Sequence, residues 1–346
     1  MVKFSTLLRV TLIVQLLLFT THFTAAAKQP RYAAYLFAYF EGTGPVELQE
    51  HLRFAISEDG TTWQALNGNR PVVLSDSVCL TLGLRDPHLL RAEDGRTFLL
   101  VATDMKATRD GWTTNPGIVL MRSRDLIHWE HHTVQLDRLW PERFGDVRYT
   151  WAPQTIYDPE ARRYMIYFTI IFKDEAAHAD THNMTTYYAY ANDAFSGLAT
   201  EPQVLFAPRC GCIDNDIVRT ADGTWHMFYK GHIDDADGRE IQNGIMHTTS
   251  ACLLGPWPEA TDFVDAYAKT NTSVEGSGVY PLLDGSGWIL QYDLFGAGRF
   301  EFQRADPLLR TFEPHAQRYD KNFHPRHGYV IPITRREARR LRKAFP

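Results

Sequence analysis

One form recurs along the chain: a short alternating strand, a turn built on Ser, Asp or Leu, and a closing aromatic or leucine. It occurs at 52–63 (LRFAISEDGTTW), 118–129 (IVLMRSRDLIHW), 187–198 (YYAYANDAFSGL), 245–257 (IMHTTSACLLGPW) and 300–312 (FEFQRADPLLRTF). The copies stand about 55–70 residues apart, a pitch typical of architectures in which each unit is one small sheet. A second series lies between them, at 84–103, 151–169, 213–230 and 274–293. Each member has a short strand, a turn (Asp94-Gly95, Asp158-Pro159, Asp222-Gly223, Asp284-Gly285) and a strand rich in β-branched and aromatic residues. Asp-Gly between two such runs is a hairpin signal.

The two series together predict at least three antiparallel strands per unit. A fifth inner strand is expected at 327–333 (HGYVIPI), with its partner at the other end of the chain, 33–40 (AAYLFAYF). One sheet built from both termini would close a ring and cover the open edges. The expected fold is all-β: a five-bladed β-propeller in a single domain, 28–346, closed by pairing of the N- and C-terminal strands. Two sandwiches with coincidental turn spacing are the alternative. The basic stretch 335–343 reads as a helical, solvated cap.

Lys3 and Arg9, the apolar run 10–19 and Ala25-Ala26-Ala27 have the order of a secretory signal, which assigns 1–27 to a cleaved segment and the protein to the extracellular space. The apolar run is short for a membrane span, so no membrane association is expected after cleavage. A formal net charge of -5 argues against a nucleic-acid partner. The four cysteines permit disulfides; Cys210 or Cys212 paired with Cys79 or Cys252 is easier to build than a Cys210–Cys212 bridge. Asn183-Met184-Thr185 and Asn271-Thr272-Ser273 are glycosylation sequons.

In a propeller the first strand of each blade lines the central channel. Those strands carry Asp86-Pro87, Trp151-Ala152-Pro153-Gln154, Asp214-Asn215-Asp216, Glu275-Gly276-Ser277-Gly278 and His327-Gly328. Carboxylates opening otherwise apolar strands are costly to bury without a partner or a task. Three of them, read as occupying one position in three blades, would converge on the channel. Paired carboxylates at a pocket are the equipment for cleaving a glycosidic bond, one donating a proton to the leaving oxygen and one activating water. A third raises the acid's pKa by like charge. Alternation along a regular strand puts Asp214 and Asp216 on one face, so both compete for the third role; Asp214 is preferred by its position.

Arg85-Asp86-Pro87-His88, Trp151-Ala152-Pro153, Ile213-Asp214, Val274-Glu275-Gly276-Ser277-Gly278 and Arg326-His327-Gly328, in that order, resemble glycoside hydrolase family 43 over about residues 32–334. The resemblance implies a five-bladed propeller and an inverting mechanism. It implies Asp86 as general base, Asp214 as pKa modulator and Glu275 as general acid. It makes His327 a channel residue for a cation or its waters; no cofactor is required, though a structural Ca2+ in the channel is compatible. Gln154 stands where the family often has an acid, and Asn215 where proline is common.

Phe40, Trp151 and Tyr292 are candidate sugar platforms, and Arg85, Arg299 and Gln154 candidate polar contacts. The opening strand, the Thr103-Asp104-Met105-Lys106 step and Trp-Ala-Pro-Gln are closest to the α-L-arabinofuranosidase branch. The expected protein is thus a secreted, monomeric hydrolase of terminal sugars on oligo- or polysaccharides. β-Xylosidase or galactan-acting specificity, and a non-catalytic glycan-binding propeller, are the alternatives. Fructosyl-transferring propellers also use three carboxylates, with retention.

Overall fold

Aspartate side chains fold the hairpins. In the first, Asp94 Oδ1 accepts the backbone N–H groups of Arg96 and Thr97 at 2.8 and 2.7 Å. Asp158, Asp222 and Asp284 do the same two or three residues ahead of themselves. Such local bonds hold the turn while β-branched and aromatic runs pair on either side. The structure, a computed structural model, describes residues 31–346 except 179–183, 235–239, 269, 271, 296 and 320–322. The expected signal segment and both sequon asparagines lie outside the described residues.

Five sheets result. Blade I has strands Leu84–Arg91, Phe98–Asp104, Gly117–Ser123 and Glu130–Gln135; blade II has Val147–Asp158, Arg163–Phe172, Thr185–Tyr190 and Gln203–Phe206. Blade III has Ile213–Arg219, Trp225–Asp234 and Glu240–Ser250; blade IV has Glu275–Pro281, Trp288–Leu294, Arg299–Ala305 and Phe312–Pro314. Blade V takes its inner strand, Arg326–Thr334, from the C-terminus and continues with Tyr32–Phe40, Arg53–Ser57 and Thr62–Ala65 from the N-terminus. Leu36 lies opposite Ile331 and Ala38 opposite Tyr329 in this closing pair. The five-bladed propeller and its mode of closure are therefore as the repeats predict.

The core sits between blades. Leu36, Phe54, Leu100 and Met121 join V to I. Leu120, Ile166 and Phe168 join I to II, and Tyr167, Met227 and Tyr229 join II to III. Phe228, Leu290 and Tyr292 join III to IV, and Phe302, Tyr35 and Phe37 join IV to V. Much of the aromatic content is thus consumed in blade interfaces, where large rings bury the most area per residue.

Two expectations are corrected. The four cysteines form no disulfide. Cys79 packs between blades V and I, away from Cys210 and Cys212 at the II–III interface, and Cys252 is free and exposed after the last strand of blade III. The C-terminal segment is a helix, Arg335–Ala344, but only its outer face is solvated. Ala338 and Leu341 are buried on it. Thr334 and Glu337 form a reciprocal capping box, and Arg91 grips Glu337 through two bonds of 2.9 Å.

Candidate active site

Every inner strand carries an extra residue at the same place, just after it enters the channel. The pairing steps from Arg85–Thr103 to His88–Val101 in blade I, and blades II, III and IV repeat the step at Trp151/Gln154, Ile213/Asp216 and Glu275/Gly278. In blade V the extra residue is His327, between Arg326 and Gly328. In blades I to IV the residue after the entry position is left-handed: Asp86 at φ 52°, Ala152 at 45°, Asp214 at 56° and Gly276 at 66°. Such a bulge re-aims side chains, and the non-glycine residues there carry strain of about 1–3 kcal/mol each. Gly276 is required by space as well: a Cβ would lie 2.9 Å from the His327 ring.

This register corrects the reading of three equivalent acids. Asp86 and Asp214 share the bulge position with His327, while Glu275 stands one residue earlier, level with Arg85, Trp151, Ile213 and Arg326. The three acids nevertheless meet. A cavity of about 230 Å³ is lined by Asp86, Asp214, Glu275 and His327, with Arg85, Trp112, Trp151, Met184, Ile213 and Lys230.

The bulge also separates Asp214 from Asp216. Asp216 lies one layer down, fully buried, and accepts the Val279 N–H at 2.6 Å; burial pushes its carboxyl up to about 8. Gln154 is in that layer too, accepting the Tyr167 hydroxyl at 2.9 Å, so it does not reach the pocket. His88 packs on Tyr329 with ring centres 4.1 Å apart. These buried side chains floor the pocket.

Electrostatics divide the acids. Burial alone would raise Asp86, but the His327 hydrogen bond and charge, Arg85 and the Thr103 hydroxyl at 2.8 Å together hold it below the usual carboxylate range. Asp214 is pushed up to about 6 by burial, against the His327 charge, with Glu275 and Asp86 adding repulsion. It accepts the Gly276 N–H at 2.8 Å. Glu275 Oε1 accepts from Arg326 at 2.9 Å, and Arg326 also binds the buried Asp293. Asp293 is pushed up to about 7, mainly by burial, against the pull of Arg326.

His327 Nδ1 lies 3.5 Å from Asp86 and 3.7 Å from Asp214. Burial would lower its pKa, but Asp214, Asp86 and Glu275 hold it up at about 9. Among the described residues no three His, Cys, Asp or Glu side chains are arranged to hold a metal ion.

An imidazolium raised above the ordinary value of about 6.5 stabilises the fold fully below that pH and loses its contribution as pH rises through about 9. The expected result is a melting temperature that declines between pH 6.5 and 9 in the native protein and declines less in His327→Gln. Thermal unfolding across pH checks it; an unchanged slope would remove His327 as the charged group. The same variant should hydrolyse more slowly without losing activity entirely.

Of the expected binding residues, Arg85 and Trp151 line the pocket. Trp151 stacks on Tyr149 at 4.3 Å and donates to Asn115. Three others do not reach it. Phe40 is fully buried and lies beneath the Arg85 guanidinium at 4.7 Å, a support and not a sugar platform. Tyr292 faces the III–IV interface and bonds Gln303, because its strand neighbour Asp293 takes the channel side. Arg299 is exposed at the strand start and pairs with Glu301 and Tyr267.

Trp112, Met184, Ile213 and Lys230 in the lining, and Asp293 behind it, were not foreseen. Asp293 was legible as the cross-strand partner of Glu275, counting back from the Asp284-Gly285 turn. Arg326 was legible only as the neighbour of His327. Trp112 lies between strands, in a stretch with no periodic pattern.

Comparisons with known proteins agree with this architecture. The chain is 27% identical over 219 residues to an alpha-L-arabinofuranosidase of Bifidobacterium longum subsp. longum, covering 59% of this chain and 20% of that enzyme. The chain thus matches about a fifth of that relative's length. Among solved structures, an exo-beta-1,3-galactanase from Phanerochaete chrysosporium aligns with TM-score 0.57 at 11% identity, over 82% of this chain and 60% of that one. An alpha-L-arabinofuranosidase from Clostridium thermocellum aligns at 0.56 and 10%, over 82% and 91%. A xylan beta-1,4-xylosidase from Bacillus halodurans aligns at 0.55 and 13%, over 81% and 49%. At such identities the likeness concerns the fold. The sequence profile described as "Probable glycosyl hydrolase domain" matches residues 30–339, nearly the whole described propeller, and the chain belongs to this glycosyl hydrolase 43-related family.

Proposed function

We propose that the protein is a secreted, monomeric, inverting glycosidase that removes terminal sugars, α-L-arabinofuranosyl units first among them, from plant-type or related polysaccharides. The observation that carries this reading is the meeting of Asp86, Asp214 and Glu275, from blades I, III and IV, at one floored pocket. A cavity of about 230 Å³ lies below the range for drug-sized ligands and suits one sugar unit. Among the described residues no helix is long and apolar enough to cross a membrane.

In this reading Glu275 delivers a proton to the leaving oxygen while Asp86, held ionised by His327, takes one from the attacking water. Asp214 stands beside Glu275 through the Gly276 N–H and acts on it by like charge. The carboxylates supply both proton transfers, so no metal is needed. Asp86 and Glu275 stand two steps apart round the ring, which favours the wider spacing of about 6.5–9.5 Å that leaves room for water. The arabinofuranosyl preference rests on the likeness to the Bifidobacterium enzyme; the xylosidase and galactanase among the structural neighbours keep xylosyl and galactosyl units as alternatives.

The test is hydrolysis of nitrophenyl α-L-arabinofuranoside, β-xyloside and β-galactoside, followed by proton NMR of the first-formed product from the best of them. The expected product is the anomer opposite to the substrate. The same anomer would overturn inversion and point to a covalent intermediate on Asp86. Carbohydrate binding with no hydrolysis of any glycoside would leave a glycan-binding propeller.

A further inference from the structure

The pocket has a buried floor. Its floor is built from buried His88, Gln154 and Asp216, so the remainder of a glycan whose terminal unit reaches the acids leaves past the rim. Among the described residues that line it, one aromatic ring is strongly exposed. Trp112 is 61% accessible, whereas Trp151, the other lining aromatic, is partly buried against Tyr149.

An exposed indole needs a reason to stay in place, and Trp112 has several. Its carbonyl accepts the Tyr149 hydroxyl at 2.8 Å, and its ring meets Trp151 edge to face at 5.8 Å. The Arg85 guanidinium lies 5.2 Å from the Trp112 ring and 4.7 Å from Phe40, between the two. Arg85 is itself fixed by the fully buried Glu50 at 2.8 Å. Glu50 also receives the Thr108 hydroxyl, which ties down the turn leading to Trp112. Trp112 lies between Phe98–Asp104 and Gly117–Ser123, at the end of blade I where the inner strand enters the channel. A rigid, solvated ring at the mouth of a sugar-sized pocket is preorganised for a flat apolar surface, because little side-chain entropy remains to be lost.

We propose that Trp112 is the stacking platform for the sugar unit on the leaving-group side of the scissile bond. The inference rests on the glycosidase reading and deepens it: the pocket holds the terminal unit, and Trp112 recognises its neighbour through the C–H face of the ring. The enzyme then prefers substrates with a second pyranose or furanose unit over those carrying a small leaving group.

The experiment compares the full chain with Trp112→Ala and Trp112→Phe on arabinobiose, xylobiose and β-1,3-galactobiose, beside the glycosyl fluoride of each sugar. A fluoride has no second unit to stack. Trp112→Ala is expected to lower kcat/KM about tenfold more on the accepted disaccharide than on the fluoride of the same sugar. Trp112→Phe should retain most of the disaccharide rate. Equal loss on both substrates, or no loss on either, would overturn the platform. Calorimetric binding of the three disaccharides and their monosaccharides to native and Trp112→Ala protein keeps the two readings separable. If no glycoside is hydrolysed, the glycosidase reading fails, yet a disaccharide-specific loss of binding would still support the platform and its absence would overturn it.

Discussion

Glu275→Gln is expected to leave the propeller folded and to slow hydrolysis of a disaccharide by about two orders of magnitude or more, the scale of a general acid. The amide keeps an oxygen for the Arg326 bond, and the side chain lines the cavity, so packing loses little. The size of the loss should depend on the leaving group. A nitrophenolate needs little protonation and a fluoride needs still less, so the variant should recover much of its rate on those substrates. Kinetics on a disaccharide, an aryl glycoside and a glycosyl fluoride of one sugar, with circular dichroism of the variant, check this. A folded variant with near-native turnover on the disaccharide would remove Glu275 from the acid role.

Asp86→Asn should cost about as much, at least two orders of magnitude, but without that dependence. Water must be deprotonated whatever group departs. The loss should therefore be similar on disaccharide, aryl glycoside and fluoride. The Thr103 hydroxyl can still donate to an amide oxygen, so local geometry is kept. His327, which Asp86 helps to hold protonated at about 9, should lose its proton at lower pH in this variant. Recovery on the fluoride as large as that of Glu275→Gln would mean that Asp86 does not activate water.

The contrast between the two variants separates the roles more sharply than either alone. It also tests the arrangement of charge in the pocket. Asp86 is below and Asp214 above the ordinary carboxylate range, although both face one imidazolium from the same bulge position. The difference follows from neighbours. Burial raises both, but Asp86 has the Arg85 charge and the Thr103 hydroxyl beside it, whereas Asp214 has two other acids against it.

Local information in the chain determined the blade. Turn aspartates bond backbone groups two or three residues ahead, and strand alternation buries one face, so the hairpins, their count and the joining of Tyr32–Phe40 to Arg326–Thr334 were legible from the residues. The acids stood out because a carboxylate at the start of an apolar strand is expensive without a partner. Beyond this, alternation misled. It put Asp214 and Asp216 on one face, made Glu275 equivalent to Asp86, and offered Tyr292 in place of Asp293. An extra residue in each inner strand resets the face from that point on, and a left-handed Asp is indistinguishable in sequence from an extended one. Phe40, Gln154 and Arg299 were assigned by nearness along the chain, but pocket membership depends on which residues several blades bring together. Trp112 was invisible for the same reason: its place is set by Tyr149, Trp151, Arg85 and Glu50, contributed by blades I and II and by the segment that follows Tyr32–Phe40 of blade V.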